Sequence, residues 1–331
     1  MDLCEEKDDR EGGRTGAGRI EGRPLTPCAR RLVGAAAALP VALAVVLVAL
    51  ATPALAHEPL WGETPTIFGP GVFHPEIRFG FVHRGGDPDP GEESWEDFEQ
   101  EYGLQYGINR FVNVRLTLPV MHSQVEQNGA GGVDEALITG PGDAILEAKY
   151  RYHLHQETGV QRSQAISFGW KIPTGDDDRT APDGSRLPPS QQPGTGRHGV
   201  KIGWAVDVEH LTDTAWGSLQ YGHELGGEFR KGDTFAADAA YGRWVVRPNT
   251  GDDLGVMLAF GVHGEGAASD QLENGSSAGN SFRVAGIQMT PIVTKGRAQY
   301  RVGIFVPLAR GGDDQMTDFP YELKAGWEMF F

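Results

Sequence analysis

Apolar and polar residues alternate along most of this chain from about residue 73 onward. In the segment GDAILEAKYRYHL, one set of alternate positions is apolar or aromatic and the other set is polar. The first set is Ala144, Leu146, Ala148, Tyr150, Tyr152 and Leu154, and the second is Glu147, Lys149, Arg151 and His153. Successive side chains of a β-strand point to opposite faces of its sheet. The pattern therefore predicts a strand with one apolar and one polar face.

The same alternation recurs in further segments and predicts a chain of strands without helices. We predict strands at 75–82, 98–107, 110–120, 142–154, 164–173, 200–210, 215–223, 234–246, 253–263, 281–293, 297–308 and 321–331. Most of these segments have the length that a tilted strand needs to cross a bilayer. The alternation slips near Gly286, where we predict a β-bulge.

The segments between the predicted strands alternate between long and short. INR, LTDT and TKG are tight turns, whereas HSQVEQNGAGGVDEALITGP and GDDDRTAPDGSRLPPSQQPGTGRHG are long loops. Long extracellular loops and short periplasmic turns are typical of an up-and-down transmembrane barrel. We therefore predict an all-β fold, an antiparallel transmembrane β-barrel of about 12 strands. A water-soluble β-sandwich is the alternative, but such a fold rarely separates its loops by length.

The N-terminal region predicts export. Arg30 and Arg31 precede an Ala/Val/Leu-rich core, and the small residues ALA at 54–56 precede His57. This order is typical of a cleaved secretory signal peptide. We predict a polar extension at 1–29, a signal peptide at 30–56 and a barrel at 57–331. A single membrane anchor is the alternative, which Pro40 within the core and the ALA site disfavour.

Composition limits the classes of partner. The chain has a formal net charge of -16 at pH 7, which argues against nucleic acid as a partner. We expect contact with outer-membrane lipid and lipopolysaccharide, a small-molecule solute, a monomeric state and no cofactor.

The last eleven residues, YELKAGWEMFF, end on aromatic side chains rather than on a polar tail. Their spacing resembles the C-terminal assembly signal of bacterial outer-membrane proteins, with Lys324, Gly326, Met329 and Phe331 at the signal positions. This resemblance implies that the barrel-assembly machinery reads the final strand.

Two motifs resemble an outer-membrane family labelled after the meta-pathway of phenol degradation. They are SFGWKIPTGDDD and PGTGRHGVKIGWAVDVEH. The matching positions are Pro173, Thr174 and Gly175 in the first motif and Gly194, Thr195 and Gly196 in the second. The resemblance implies a barrel that admits small, often hydrophobic or aromatic compounds, and it brings no catalytic residues.

The polar faces of the predicted strands carry charges of both signs, which are costly to place in lipid. We therefore predict that they line the lumen. The predicted lumen-lining residues are Glu99, Glu101, Arg115, Glu147, Lys149, Arg151, Lys201, Asp207, Glu209, Arg301 and Lys324. A barrel of 12 strands lies between the filled and the open size classes, so an open channel and a plugged interior both remain possible.

Two other functions are compatible with the sequence. Histidines at His57, His74, His83, His153 and His155 suggest a metal-associated envelope protein that binds copper or a similar ion, with His57 at the mature N-terminus. A lipid hydrolase would need a serine beside a histidine on the lipid-facing side, and neither His210 nor His223 has one in a recognisable motif. We predict a pore or transporter-like barrel for passive uptake of small solutes, and not an enzyme.

Overall fold

The computed structural model describes residues 59–84, 93–129, 132–180, 186–187, 189–226, 229–248, 253–272, 276–277, 281–312 and 321–331. The predicted extension, the predicted signal peptide and His57 lie outside these residues and stay predictions. In the part of the chain just given, no helix is both long enough and apolar enough to cross a membrane.

The described residues form thirteen antiparallel strands and one 3₁₀ turn, at Pro189–Gln191. The strands are β1 (Phe73–Arg84), β2 (Glu93–Asn109), β3 (Val112–Gly129), β4 (Gly132–Pro141), β5 (Ala144–Glu157), β6 (Val160–Ile172), β7 (Gly199–His210), β8 (Asp213–Glu224), β9 (Thr234–Val246), β10 (Leu254–Ala267), β11 (Phe282–Lys295), β12 (Ala298–Gly312) and β13 (Glu322–Met329).

Twelve of these strands close into a ring. Neighbours in sequence pair along the sheet from β5 to β13, β13 pairs with β1, and β1 pairs with β2. The pairings of β2 with β3 and of β3 with β5 complete the ring, which leaves no free edge in it. The predicted barrel is confirmed. We call the end with the links 110–111, 158–159, 211–212 and 296–297 the short-turn end, and the opposite end the long-loop end.

The strand register separates the apolar set from the polar set around the ring. Large apolar side chains such as Leu118, Phe168 and Phe260 are exposed on the outer face, where lipid would contact them. The register of β11 against β12 shifts between Ala285 and Gly286, which confirms the predicted bulge.

The prediction of one long loop is wrong. The segment HSQVEQNGAGGVDEALITGP was predicted as a long loop, but β3 continues to Gly129 and pairs with β4 from Val120 onward. The first part of β3, Val112–Thr117, pairs instead with β5, so β4 is an extra strand outside the ring. Polar and apolar residues are mixed on both faces of its sequence, so it lacks the apolar alternation that predicted the other strands. Main-chain hydrogen bonds form a ladder without that alternation.

Residues 59–72, which we call the luminal segment, precede β1 and form no strand. Leu60, Trp61 and Phe68 of this segment are buried, as are its polar residues Glu63 and Thr64. Its contacts reach inward-facing residues of strands around the whole ring, including Asn113 on β3, Ser218 on β8 and Glu322 on β13. The luminal segment therefore occupies the interior of the barrel.

The end of the chain packs against the end of the luminal segment. The rings of His74, Phe68 and Phe330 pack against one another: the His74 centroid lies 4.4 Å from that of Phe68 and 4.5 Å from that of Phe330, and the two phenylalanine centroids are 5.5 Å apart. The Phe331 main-chain N–H donates to the Phe73 carbonyl at 2.9 Å. Met329 is also buried, although its position in the alternation predicts a lipid-facing side chain. The final residues therefore join β1, β13 and the luminal segment at the short-turn end.

We expect Phe330→Ala to lower the free energy of unfolding by about 3 kcal/mol, because it removes a buried ring that packs on His74 and Phe68. Urea unfolding of the refolded protein in detergent, followed by tryptophan fluorescence, measures the loss. Leu308→Ala is the control, since Leu308 is 70% exposed on the outer face. Equal losses in the two variants would contradict this packing role.

Candidate functional site

Trp61 anchors the luminal segment to the last two strands of the ring. Its indole N–H donates to Glu322 Oε2 at 3.1 Å, and its ring centroid lies 6.4 Å from that of Phe305. The ammonium of Lys324 lies 5.3 Å from the Trp61 ring centroid, within cation–π range. Gly303 makes room for the indole, because a Cβ at this position would lie 2.3 Å from a ring carbon of Trp61.

Glu63 anchors the middle of the luminal segment to the opposite wall. Its Oε1 lies 3.3 Å from the Lys201 ammonium on β7, and its Oε2 accepts a hydrogen bond from Ser167 on β6 at 3.3 Å. The main-chain N–H of Glu63 donates to Ser218 Oγ at 3.0 Å. Both the side chain and the backbone of this residue are therefore held by the wall.

The environment of Glu63 keeps its carboxylate ionised. Burial alone would raise the pKa, but the positive charges of Lys201, Lys149 and Arg115 lower it from 4.5 to about 2. The side chain is only 7% exposed, so these cations balance a carboxylate that has left water.

Three further polar contacts hold the rest of the luminal segment. Lys149 Nζ donates to the Thr64 carbonyl at 3.0 Å, and the Phe68 N–H donates to Asn113 Oδ1 at 3.1 Å. Arg301 Nη1 donates to the Pro59 carbonyl at 3.3 Å. Much of the attachment thus consists of individual hydrogen bonds and ion pairs, without a strand ladder.

A buried charge network lies next to this attachment, towards the short-turn end. Arg301 Nη2 donates to Glu76 Oε1 at 2.8 Å and to Glu328 Oε2 at 3.0 Å. Arg115 donates to the other oxygen of Glu76 at 3.0 Å, and Arg78 also bonds Glu76 at 2.5 Å. The network crosses from β12 through β13 and β1 to β3, so it ties the closing strands together.

Cavities lie on both sides of the luminal segment. Towards the long-loop end, a cavity of about 590 Å³ is followed by a smaller one of about 210 Å³ that Trp61 and Glu63 line. Glu99, Ile145, Lys201 and Lys324 line both of these, which we call together the upper chamber. A cavity of about 270 Å³ lies on the other side, lined by Thr64, Phe68 and short-turn-end residues. The luminal segment separates the two spaces.

The structure places the predicted lumen-lining residues in the interior of the ring. Glu99, Glu101, Arg115, Glu147, Lys201 and Lys324 line the cavity next to Trp61 and Glu63. Arg151, Asp207 and Glu209 line the cavity at the short-turn end, while Lys149 and Arg301 bond the luminal segment.

The Pro173–Gly175 and Gly194–Gly196 motifs meet at Asp143, in the link between β4 and β5. Asp143 Oδ1 accepts from the Gly175 N–H at 3.0 Å, and its Oδ2 accepts from the Thr195 N–H at 2.9 Å. Thr174 Oγ1 accepts from the Ala144 N–H at 2.9 Å. A Cβ at Gly175 would lie 2.8 Å from the Cα of Gly194, so the two backbones touch. The motifs fold the β6–β7 loop against the rim.

Lys171 also contacts Asp143 and forms a polar cluster with it, Thr195 and Glu224. Its ammonium lies 3.0 Å from Asp143 Oδ2 and also bonds Glu224 and Thr195. Although burial raises the pKa of Asp143, hydrogen bonds from Thr195 and Gly175 and the charge of Lys171 lower it overall. Gln192, Pro193 and Thr195 of the same loop line the upper chamber, so this cluster fixes one of its walls.

Sequence reasoning missed the luminal segment, including Trp61 and Glu63, and it missed Asp143. The available signal was LWGETPTIFGPG, an apolar stretch with glycine and proline between the predicted cleavage site and the first strand. Solvated linkers are poor in aromatic and β-branched residues, so tryptophan, isoleucine and phenylalanine at that density indicate a segment that packs against other residues.

The predicted metal-ligand histidines lie in different surroundings. His74 is buried against two phenylalanine rings, with Nε2 3.3 Å from Glu328 Oε2. His153 and His155 are exposed near the short-turn end, where His155 contacts Glu157 at 2.9 Å. The side chain of His83 is outside the described part, as is His57. Among the described residues, no group of three or more His, Cys, Asp or Glu side chains could hold a metal ion.

The histidines considered for hydrolysis lie at opposite ends of the outer face. His223 Nδ1 is 2.7 Å from Asp233 Oδ1 near the long-loop end, and the hydroxyl of Tyr221 donates to the other oxygen of Asp233 at 2.8 Å. His210 is the last residue of β7, at the short-turn end.

We expect Glu63→Gln to lower the thermal stability of the barrel by an amount that depends on pH. The folded pKa is about 2 and the ordinary value is 4.5, so the charge of Glu63 stabilises the fold fully above pH 4.5. This contribution should decline as the pH falls from 4.5 towards 2. Melting temperatures of the wild type and the variant between pH 7 and pH 2.5 measure it, and a difference that vanishes between pH 7 and pH 5 would contradict the assignment.

The solved structure of an outer-membrane channel shares the fold of this chain. The crystal structure of the COG4313 outer membrane channel from Pseudomonas putida F1 superposes with a TM-score of 0.60 at 14% identity, over 83% of this chain and 100% of the other. The β domain of the Bordetella autotransporter BrkA gives 0.41 at 10% identity, over 78% and 100%. The CymD monoaromatic hydrocarbon channel gives 0.35 at 7% identity, over 80% and 89%. Among curated proteins, no sequence matches.

The sequence also matches a family model described as the MetA-pathway of phenol degradation. The match covers residues 92–284, more than half of the 331-residue chain. It extends from the start of β2 into β11 and includes both motifs that meet at Asp143. The chain belongs to the family of the MetA-pathway of phenol degradation, whose fold here is an outer-membrane β-barrel.

Proposed function

We propose that this protein is a passive channel for small solutes in the outer membrane of a Gram-negative bacterium. The long-loop end faces the outside, as is usual for such barrels. The luminal segment closes the channel in the conformation described here, and the channel opens when this segment leaves its contacts with the wall.

One observation carries the proposal: a segment that forms no strand separates two cavities inside a closed ring. A purely structural barrel can be filled by side chains of its own wall. Here the upper chamber of about 590 Å³ and about 210 Å³ remains above the luminal segment. The segment continues directly into β1 at Phe73, and its polar contacts can exchange for water when it moves.

The lining of the upper chamber favours small solutes with an apolar part. Val82, Pro119, Met121 and Ile145 line one side, and the side chains of Lys201 and Lys324 also reach the cavity. Ligand pockets combine an apolar wall with a few polar groups in this way. The family description, which concerns phenol degradation, supports hydrophobic or aromatic solutes.

We expect Trp61→Ala to increase the open fraction of single channels in planar bilayers at least tenfold. Removing a buried tryptophan costs about 3 kcal/mol or more, and about 1.4 kcal/mol corresponds to a tenfold change in an equilibrium. The substitution should weaken the closed state alone, since it acts on the luminal segment and leaves the strands intact.

Leu308→Ala serves as the control, because it changes only the outer face. Heat-modifiable migration on detergent gels verifies that each variant is a folded barrel. Folded Trp61→Ala protein that conducts no more than the wild type would contradict closure by the luminal segment.

A further inference from the structure

The carboxylate of Glu63 occupies a site that the barrel wall builds. Lys201 on β7 and Ser167 on β6 hold its two oxygens, each at 3.3 Å. Ser218 on β8 holds the main-chain N–H of the same residue. The groups that recognise the carboxylate thus differ from the one that positions the backbone, and the site for the carboxylate is complete without the rest of the luminal segment.

The charges around this site require an anion. Lys201, Lys149 and Arg115 act on Glu63 from the wall, and the carboxylate of Glu147 lies 4.0 Å from the Lys201 ammonium. When Glu63 leaves, Arg115 keeps its ion pair with Glu76, whereas the Lys201 ammonium keeps only the more distant carboxylate of Glu147. A cation removed from water costs free energy unless a counter-charge replaces its hydration. A departing Glu63 therefore leaves a site that attracts another anion.

The same site is open to solutes from the upper chamber. The side chain of Lys201 is 34% exposed and lines both cavities of the chamber, whereas the side chain of Glu63 is 7% exposed. A molecule in the chamber can thus reach the ammonium from one side while Glu63 holds it from the other.

An apolar side chain lies near the base of the Lys201 side chain. The space beside Gly169 shows this: a Cβ built there would lie 3.2 Å from Cβ of Lys201 and 3.6 Å from Cγ2 of Ile145. Pro119 and Met121 on β3 line the same cavity as Ile145. A ligand that places its charge on Lys201 would lay its apolar part on these side chains.

We propose that Lys201 and Ser167 form a binding site for small organic carboxylates with an apolar body, and that Glu63 is the competitor built into the chain. A carboxylate solute that takes the place of Glu63 releases one anchor of the luminal segment. The inference rests on the proposed channel function, since it makes the solute the signal that opens its own pathway. Binding and opening are linked reciprocally: whatever weakens the Glu63 contact strengthens solute binding.

Benzoate tests the site directly, by isothermal titration of the refolded full barrel in detergent at pH 7. We expect Glu63→Gln to bind benzoate about tenfold more tightly than the wild type, because its competing charge is gone. We expect Lys201→Met to lose benzoate binding. Benzyl alcohol, which has the same ring without the charge, should show no such dependence on Glu63.

Glu99→Gln is the matched control for charge. Glu99 lines the same chamber, but the cations that act on it are Lys324 and Lys231. If removal of any carboxylate from the chamber improved benzoate binding, the two variants would behave alike. Equal benzoate affinity in Glu63→Gln and Glu99→Gln would overturn the proposal.

Bilayer recordings separate this inference from the channel function. Benzoate should raise the open fraction of the wild type several-fold and leave that of Glu63→Gln unchanged. If Trp61→Ala conducts but benzoate affinity is the same in Glu63→Gln and wild type, the channel function is supported and the proposed carboxylate site is contradicted. If benzoate binds as expected but no folded variant conducts, the carboxylate site is supported and the channel function is contradicted.

Discussion

Hydrocarbon cannot solvate the charged side chains that alternate with apolar ones on these strands, and the architecture follows from this constraint. The strand period of two sends one set of residues to lipid and the other, with its many charges, to the interior of the ring. A ring of twelve strands is wider than the eight-stranded barrels that wall side chains fill. The luminal segment takes up part of the remaining space, and it brings its own carboxylate and carbonyl groups to the buried cations.

The interior charges are organised in two groups with different mechanical roles. The network of Arg301, Glu76 and Glu328 joins strands that are hydrogen-bonded neighbours, so it reinforces the closure of the ring. The contacts of Glu63 with Lys201 and Ser167 join the wall to a segment that has no strand partner. Breaking the first group would remove side-chain contacts between wall strands that main-chain ladders also join, whereas breaking the second group would release part of the luminal segment. Ion pairs and hydrogen bonds therefore serve both to reinforce the barrel wall and to attach the luminal segment reversibly.

The sequence predicts what depends on local pattern. The strands follow from alternation, and the bulge at Gly286 follows from a slip in it, because both leave a signal within a few residues. The extra strand β4 leaves none, since polar and apolar residues are mixed at both sets of its alternate positions. The site of Glu63 depends on Ser167, 104 positions later, and Trp61 depends on Glu322, 261 positions later. Such contacts follow from ring closure, which the alternation predicts without giving the partners across the lumen. The Pro-Thr-Gly motif is recognisable, yet Asp143, about which it folds, lies outside it.

The position of Trp61 couples two events of assembly. Its indole fits between Gly303 and Phe305 on β12 and bonds Glu322 on β13, which are the last two strands in sequence. This binding site for the indole forms only when both strands have joined the sheet. Docking of Trp61, and with it the fixed position of the luminal segment, therefore depends on completion of the wall.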